Sequence, residues 1–151
     1  MTGSPPEEMK PKVLVVEGDP VVRASLIEIL GARFDVVGVA GSLEALALLE
    51  KTEDPPFSAV VADYRTPSGS GLDLMRAVGQ RWPNIGTLLL TGHTSDPEIN
   101  AARREGTLMV LYKPVDASEV LMWVDHVVTA SGMFKLLRSL RRNDVDKTSP
   151  H

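Results

Sequence analysis

The chain has 151 residues, which suits one domain with a substantial core, and its hydrophobic and charged fractions of 43% and 24% are ordinary for a globular protein. It has no cysteine, which excludes disulfides, thiolate metal sites and thiol nucleophiles. The net charge of −4 gives no electrostatic footprint for nucleic acid. We find no signal peptide and no apolar run that would cross a membrane, so we expect a cytoplasmic protein.

The N-terminal part predicts a disordered lead-in and then a first strand and helix. Residues 1–11 hold three prolines among polar side chains, which disfavours regular structure. The apolar run Lys12–Val16 predicts a buried strand. Asp19 is a typical N-cap for a helix that starts at Pro20 and ends near Leu30.

The middle of the chain repeats this strand-then-helix pattern twice. Residues 34–40 predict a second strand, and Ser42 is expected to cap the helix that follows. Residues 59–62 predict a third strand, buried on both faces. The loop 67–71 then leads into a helix over 72–82.

Two more units complete the pattern. A fourth strand is predicted over 85–90, followed by a helix over 95–105 that opens with the capping-box spacing of Ser95 and Glu98. A fifth strand over 108–112 precedes a last helix over 116–130. Regular alternation with short connections predicts a doubly wound α/β domain, with a five-stranded parallel sheet in the order 2-1-3-4-5 and helices on both faces.

Four of the predicted strands end in residues that can carry chemistry. These are Glu17, Asp63, Thr91 and Lys113. Because the carboxyl ends of parallel strands share one edge of the sheet, we expect these side chains to converge. Two neighbouring carboxylates favour a hard cation such as Mg²⁺, and a lysine and a hydroxyl add groups suited to a phosphoryl group. Asp63 would be the nucleophile.

Five sequence blocks, in order and at fitting intervals, resemble the receiver domain of two-component response regulators. They are VLVVE at 13–17, VVADYRTP at 60–67, GL at 71–72, LLLTG at 88–92 and KP at 113–114. The resemblance covers residues 12–130 and implies a flavodoxin-like (βα)5 fold. It also implies a cytoplasmic signalling domain rather than an enzyme acting on other molecules, one that takes a phosphoryl group on Asp63 from a histidine kinase or phosphotransfer protein.

The same resemblance implies a role for each site residue. Mg²⁺ would be held by Glu17, Asp63 and the backbone carbonyl of Arg65, and the phosphate would contact Thr91 and Lys113. Arg65 and His93 would tune the site, and the bond before Pro114 would be cis. A downstream protein would bind the face formed by residues 95–130, and a homodimer is a further option; neither nucleic acid nor membrane is an expected partner.

Two positions depart from the family pattern. The second acidic residue after the first strand is replaced by Gly18, so the metal site is expected to be weakened, with Glu17, Asp19 or a water supplying the missing oxygen. The aromatic residue expected three positions before Lys113 is Val110, and Tyr112 is assigned to the opposite face of the strand. These departures motivate an alternative, a pseudo-receiver that binds proteins without phosphorylation. A phosphatase or nucleotide-binding domain is disfavoured because no glycine-rich phosphate loop follows the first strand.

The C-terminal extension, residues 131–151, predicts a short amphipathic helix over 133–142 and then a polar tail. Its apolar residues, Met133, Leu136, Leu137 and Leu140, follow helical spacing. We expect this helix to dock on the receiver domain; a dimer or partner contact is the alternative. A helix this short needs a surface to rest on.

Overall fold

The computed structural model describes residues 10–92, 96–104 and 108–148. Its strands, in chain order, are β1 (Lys12–Val16), β2 (Asp35–Val39), β3 (Ala59–Asp63), β4 (Arg65–Thr66), β5 (Gly69–Ser70), β6 (Gly86–Thr91) and β7 (Met109–Tyr112). Its helices are α1 (Pro20–Leu30), α2 (Ser42–Leu49), α3 (Gly71–Arg81), α4 (Pro97–Arg104) and α5 (Ala117–Thr148).

Five of these strands form one parallel sheet in the order β2-β1-β3-β6-β7. The short strands β4 and β5 pair with each other in a separate antiparallel hairpin. Since β6 and β7 are the predicted fourth and fifth strands, the predicted order 2-1-3-4-5 is confirmed. This order places β1 beside β3, so Glu17 and Asp63 leave neighbouring strands at the same edge.

Alternating side chains of the buried strands build two cores, one on each face of the sheet. On one face the strands pack against α2, α3 and α4, and on the other against α1 and α5. Along β3, for example, Val60 and Ala62 point to the first face and Ala59 and Val61 to the second. Burial on both faces explains why the strands appear in the sequence as continuous apolar runs.

The helix caps agree with the sequence at α1 and α5 and differ at α2. Asp19 accepts the amides of Val21 and Val22, and Asp116 accepts that of Glu119. Ser42 was predicted to cap α2 but is its first residue, and its amide donates to the Thr66 hydroxyl at 3.2 Å. The α2 amides are therefore satisfied from the β4–β5 hairpin, by contacts between residues distant in sequence.

The α4 cap is local and lies one residue later than predicted. Asp96 accepts the amides of Glu98 and Ile99 at 2.9 and 3.3 Å, which is an N-cap one residue later than the predicted Ser95. Ser95 and the predicted end of this helix near 105 lie outside the described residues.

The β4–β5 hairpin, which the sequence did not predict, returns the chain tightly to the end of β3. Gly69 holds its turn with φ +144°, a conformation that side chains disfavour. A Cβ at Gly71 would lie 2.0 Å from the backbone oxygen of Asp63. Glycine at position 71 is therefore what lets α3 begin directly against the residue at the strand end.

The predicted break in the last helix is absent, because α5 continues without interruption to Thr148. Ser131 is buried, and its hydroxyl donates to the carbonyl of Asn84, while Gly132 is exposed on the helix. Within α5, Ala117–Arg141 is long and apolar enough to cross a membrane by length and composition. Its inner face belongs to the receiver core, where Val124 is fully buried.

Candidate functional site

Asp63, Glu17 and Lys113 meet at the carboxyl edge of the sheet. The Lys113 Nζ lies 3.2 Å from Asp63 Oδ1 and 4.0 Å from Glu17 Oε2. Exposure of the three side chains falls from 36% for Lys113 to 17% for Asp63 and 5% for Glu17. The ammonium and the Asp63 carboxylate therefore form the accessible mouth of the site, and Glu17 forms its floor.

Glu17 is held in place by one hydrogen bond to its carboxylate and one to its backbone carbonyl. Its Oε1 accepts the amide of Asp19 at 3.1 Å, and its backbone oxygen accepts from the Arg23 guanidinium at 2.8 Å. Burial raises the pKa of Glu17, and the charges of Asp63 and Asp19 raise it further, against the lowering effects of the Asp19 amide and Lys113. The buried Oε2 accepts no hydrogen bond within the part of the chain described.

These oxygen ligands fit a magnesium ion whose coordination shell is completed by water and phosphate. A buried carboxylate oxygen without a hydrogen bond, beside a second carboxylate, is a natural position for a hard cation. Residues 10–92, 96–104 and 108–148 contain no group of three or more acidic or histidine side chains suited to a metal. A bound Mg²⁺ would therefore have few protein ligands, which is the coordination this ion tolerates best.

A proline ring crowds the Cβ position of the residue that replaces the missing acid. A Cβ at Gly18 would lie 2.9 Å from Cδ and 3.2 Å from Cγ of Pro67. Asp19 is exposed, and one of its oxygens caps α1. The sequence indicated the loss of an oxygen at position 18 but not this close packing, which joins residues 49 positions apart.

Of the remaining predicted residues, Thr91, Arg65 and Pro114 lie at or just after the carboxyl ends of β6, β3 and β7. Thr91 ends β6 fully buried, and its carbonyl accepts the Lys113 amide at 2.8 Å. Strand alternation places Thr91 on the α4 side of the sheet, whereas Lys113 lies on the α1 side. Arg65 is exposed in β4, and the Lys113–Pro114 bond is cis. His93 lies outside the described residues.

The assignment of Tyr112 to the face opposite Val110 was wrong. Residues two apart on a strand share a face, and both side chains pack in the core on the α4 side. The Tyr112 hydroxyl donates to Asn100 at 3.0 Å, and its ring lies beneath the Arg103 guanidinium.

A second tyrosine also reaches the start of α4, and neither contact is predicted by a sequence pattern. The Tyr64 hydroxyl donates to Asp96 at 2.8 Å, and this bond raises the pKa of Tyr64. Tyr64 follows Asp63 in sequence, and Tyr112 precedes Lys113. Both tyrosines thus contact α4 or its N-cap through their hydroxyl groups. Both bonds are made between side chains brought together only by the fold.

An open parallel α/β sheet with an aspartate, a second acid and a lysine at its carboxyl edge defines a receiver-type domain. The family model for the response regulator receiver domain matches residues 13–125. The chain therefore belongs to the receiver domain family of two-component response regulators.

Curated relatives agree with this assignment. A response regulator receiver protein of Anaeromyxobacter sp. is 36% identical over 111 residues, which is 73% of this chain and 45% of that protein. The DNA-binding transcriptional activator DevR/DosR of Mycobacterium tuberculosis is 35% identical over 119 residues, 77% of this chain and 54% of that protein. The chain thus spans about half the length of these relatives.

Solved structures show the same fold. A chain described as adenylate cyclase from Rhodopirellula baltica aligns with a TM-score of 0.80 at 24% identity, covering 89% of this chain and 98% of that one. A response regulator receiver domain protein from Clostridium thermocellum aligns with a TM-score of 0.73 at 22% identity, covering 82% and 98%. At these identities the likeness concerns the fold alone.

Proposed function

We propose that the Asp63 carboxylate accepts a phosphoryl group from a histidine kinase or phosphotransfer protein and so transmits a signal in the cytoplasm. The observation that carries this proposal is the 3.2 Å separation between Lys113 Nζ and Asp63 Oδ1 at an accessible strand end. This pair combines a partly exposed nucleophile with a fixed positive charge where an anionic group must arrive.

The transfer requires an in-line attack by Asp63. One of its oxygens forms a bond to phosphorus while the bond from phosphorus to the donor's imidazole nitrogen breaks, and the released imidazole keeps the electron pair and takes a proton. Lys113 offsets negative charge on the phosphoryl oxygens, and the buried Thr91 hydroxyl is proposed to contact one of them from the α4 side.

Glu17, Asp63 and the Arg65 carbonyl would hold Mg²⁺, with Asp19 as the alternative source of a fourth oxygen. The ion supplies positive charge that lets two carboxylates and a phosphate share one site. Arg65 and His93 are proposed to tune hydrolysis of the phosphorylated form. Since receivers act through protein contacts, the downstream partner is proposed to bind the face formed by residues 95–130.

Acetyl phosphate tests the proposal without knowledge of the kinase. We expect the intact mass to rise by one phosphoryl group in Mg²⁺ and not in EDTA. Asp63→Ala should abolish this gain, whereas Asp73→Asn, at an exposed aspartate in the first turn of α3, should retain it. An unchanged wild-type mass at every Mg²⁺ concentration would contradict the proposal.

A pseudo-receiver that works without phosphate is the second candidate, and the crowding at Gly18 favours it. With Gly18 in place of an acid and Pro67 crowding its Cβ position, the site can keep its fold and lose efficient metal binding. On this alternative, Asp63→Ala leaves binding of the downstream protein unchanged. A large loss of that binding would count against the pseudo-receiver.

A further inference from the structure

The extension of α5 carries an apolar stripe that the receiver domain does not cover. Four side chains in it are each more than half exposed: Met133, Leu136, Leu137 and Leu140. Met122 is equally exposed three turns earlier on the same side of the helix. The prediction that this segment docks its apolar face on the receiver is therefore wrong.

The stripe faces away from the sheet because of its helical register. With Met133 at position a of a heptad, Leu136 falls at d, Leu140 at a and Met122 at d. The residues by which α5 packs on the domain fall at b (Val120 and Val127) and f (Val124 and Ser131). The apolar stripe therefore continues the solvent-facing side of α5.

Between Met133 and Arg141, the cations lie on the other side of the helix. Lys135, Arg138 and Arg141 fall at positions c, f and b, continuing the line that packs on the domain. Lys135 and Arg138 line a cleft of about 420 Å³ together with Glu53 and Asp54 of the α2–β3 loop. Arg81 lines the same cleft, which therefore holds charges of both signs. From Met122 to Arg141, the apolar stripe has no basic residue at the positions beside it.

We propose that the stripe is a dimer surface that pairs in parallel with the same helix of a second copy. Between 122 and 140, no lysine or arginine occupies an a, d, e or g position, so two copies meet without like cations at their seam. A lipid surface would instead favour cations bordering the stripe and directed at the headgroups. Lys135, Arg138 and Arg141 instead fall on the side of the helix away from the stripe.

The expected dimer is weak. The stripe from Met122 to Leu140 spans about 27 Å at 1.5 Å per residue. Its a and d positions include His126 and Thr129 as well as apolar residues, and it is shorter than the three to four heptads of an autonomous coiled coil. We expect association at about micromolar concentrations, in the range of small, transient interfaces.

Sedimentation equilibrium of the whole chain tests the proposal. We expect dimers that become monomers when Leu136→Glu and Leu140→Glu are combined. The control, Lys135→Glu with Arg141→Glu, places two glutamates on the inner side of the helix and should still dimerise. Circular dichroism should show that both variants keep the receiver fold.

Cysteine cross-linking gives a second measurement, because the chain contains no cysteine of its own. Leu136→Cys, at a d position, should oxidise to a disulfide-linked dimer, whereas Arg138→Cys, at f, should not. A wild type that stays monomeric at all concentrations and does not cross-link through position 136 would overturn the proposal. Monomers that instead co-sediment with phosphatidylglycerol vesicles would overturn it in favour of a lipid surface.

Discussion

At the scale of single residues, the contact between Gly18 and Pro67 decides how the metal site can be completed. An aspartate at position 18 would restore the family's second acid, but its Cβ would come within 2.9 Å of the proline ring. A ring cannot rotate away as a flexible side chain does, so the β4–β5 hairpin would have to move. Overpacking of this kind costs about 1–3 kcal/mol.

We therefore expect Gly18→Asp alone to lower the free energy of unfolding and to bind Mg²⁺ no better than the wild type. Combined with Pro67→Ala, which removes both crowding atoms, it should bind Mg²⁺ more tightly. Titration calorimetry and urea unfolding of the double-mutant cycle measure both effects. If Gly18→Asp alone bound Mg²⁺ tightly, the β4–β5 hairpin would move aside at little cost in free energy.

The buried Glu17 makes stability depend on pH. Because its pKa is raised in the folded state, the protonated form is favoured there, and its stabilising effect is complete below the ordinary value of 4.5. This contribution is lost as the pH rises through the folded-state pKa. In EDTA, Glu17→Gln should remove this loss and be more stable than the wild type at neutral pH.

Urea unfolding at a series of pH values measures the effect, with Glu28→Gln, at an exposed position of α1, as the control that should follow the wild type. Glutamine can still accept the Asp19 amide, so the substitution removes the charge and keeps the hydrogen bond. If Glu17→Gln proved less stable than the wild type at neutral pH, attraction to Lys113 would outweigh burial.

At the scale of elements, the sequence predicted what local patterns determine and missed what distant contacts determine. The five sheet strands are short apolar runs bounded by turn residues, and their order follows from regular alternation. The α2 cap from Thr66 and the hairpin β4–β5 join segments far apart in sequence, so no local pattern encodes them.

The same distinction applies to the candidate site and to the last helix. Glu17, Asp63 and Lys113 could be placed together because strand ends share an edge, while the contacts of Tyr64 and Tyr112 with α4 depend on side-chain reach. Ser131 and Gly132 have the composition of a helix end. Glycine costs a helix only about 1 kcal/mol, and the buried Ser131 contact with Asn84 lies within the continuous helix.

Two glycines in α3 allow the effect of a steric contact to be compared with that of helix propensity alone. Gly71 is close to neighbouring backbone, and Gly79 is not. Gly71→Ala should destabilise the protein by more than about 2 kcal/mol and disturb phosphorylation, because its methyl group would press on the Asp63 carbonyl. Gly79→Ala has nothing within 4 Å of the new Cβ and should stabilise the helix by about 0.5–1 kcal/mol.

Thermal unfolding and acetyl phosphate labelling of the two variants check this contrast. If Gly71→Ala and Gly79→Ala changed the free energy of unfolding equally, the turn before α3 would accommodate the new methyl group without strain. A stable Gly71→Ala protein that no longer takes up phosphate would locate the effect in the position of Asp63 rather than in the fold.

At the scale of the whole molecule, the described structure divides α5 into a part that belongs to the core and a part that projects from it. Val127 is the last buried apolar residue of the helix and Ser131 the last buried residue of any kind among the side chains described up to Arg141. Among the side chains described, neither core extends beyond Ser131, and the apolar side chains of the projecting segment add a surface rather than packing.

A chain ended after Gly132 should therefore fold cooperatively and unfold within about 1 kcal/mol of the full chain at low protein concentration. The two chains should differ as concentration rises. Only the folded full chain dimerises, so the urea midpoint for unfolding of the full chain should increase with protein concentration. The shortened chain, which lacks the stripe, should show one midpoint throughout. Loss of cooperative unfolding on truncation would mean instead that the extension is part of the core.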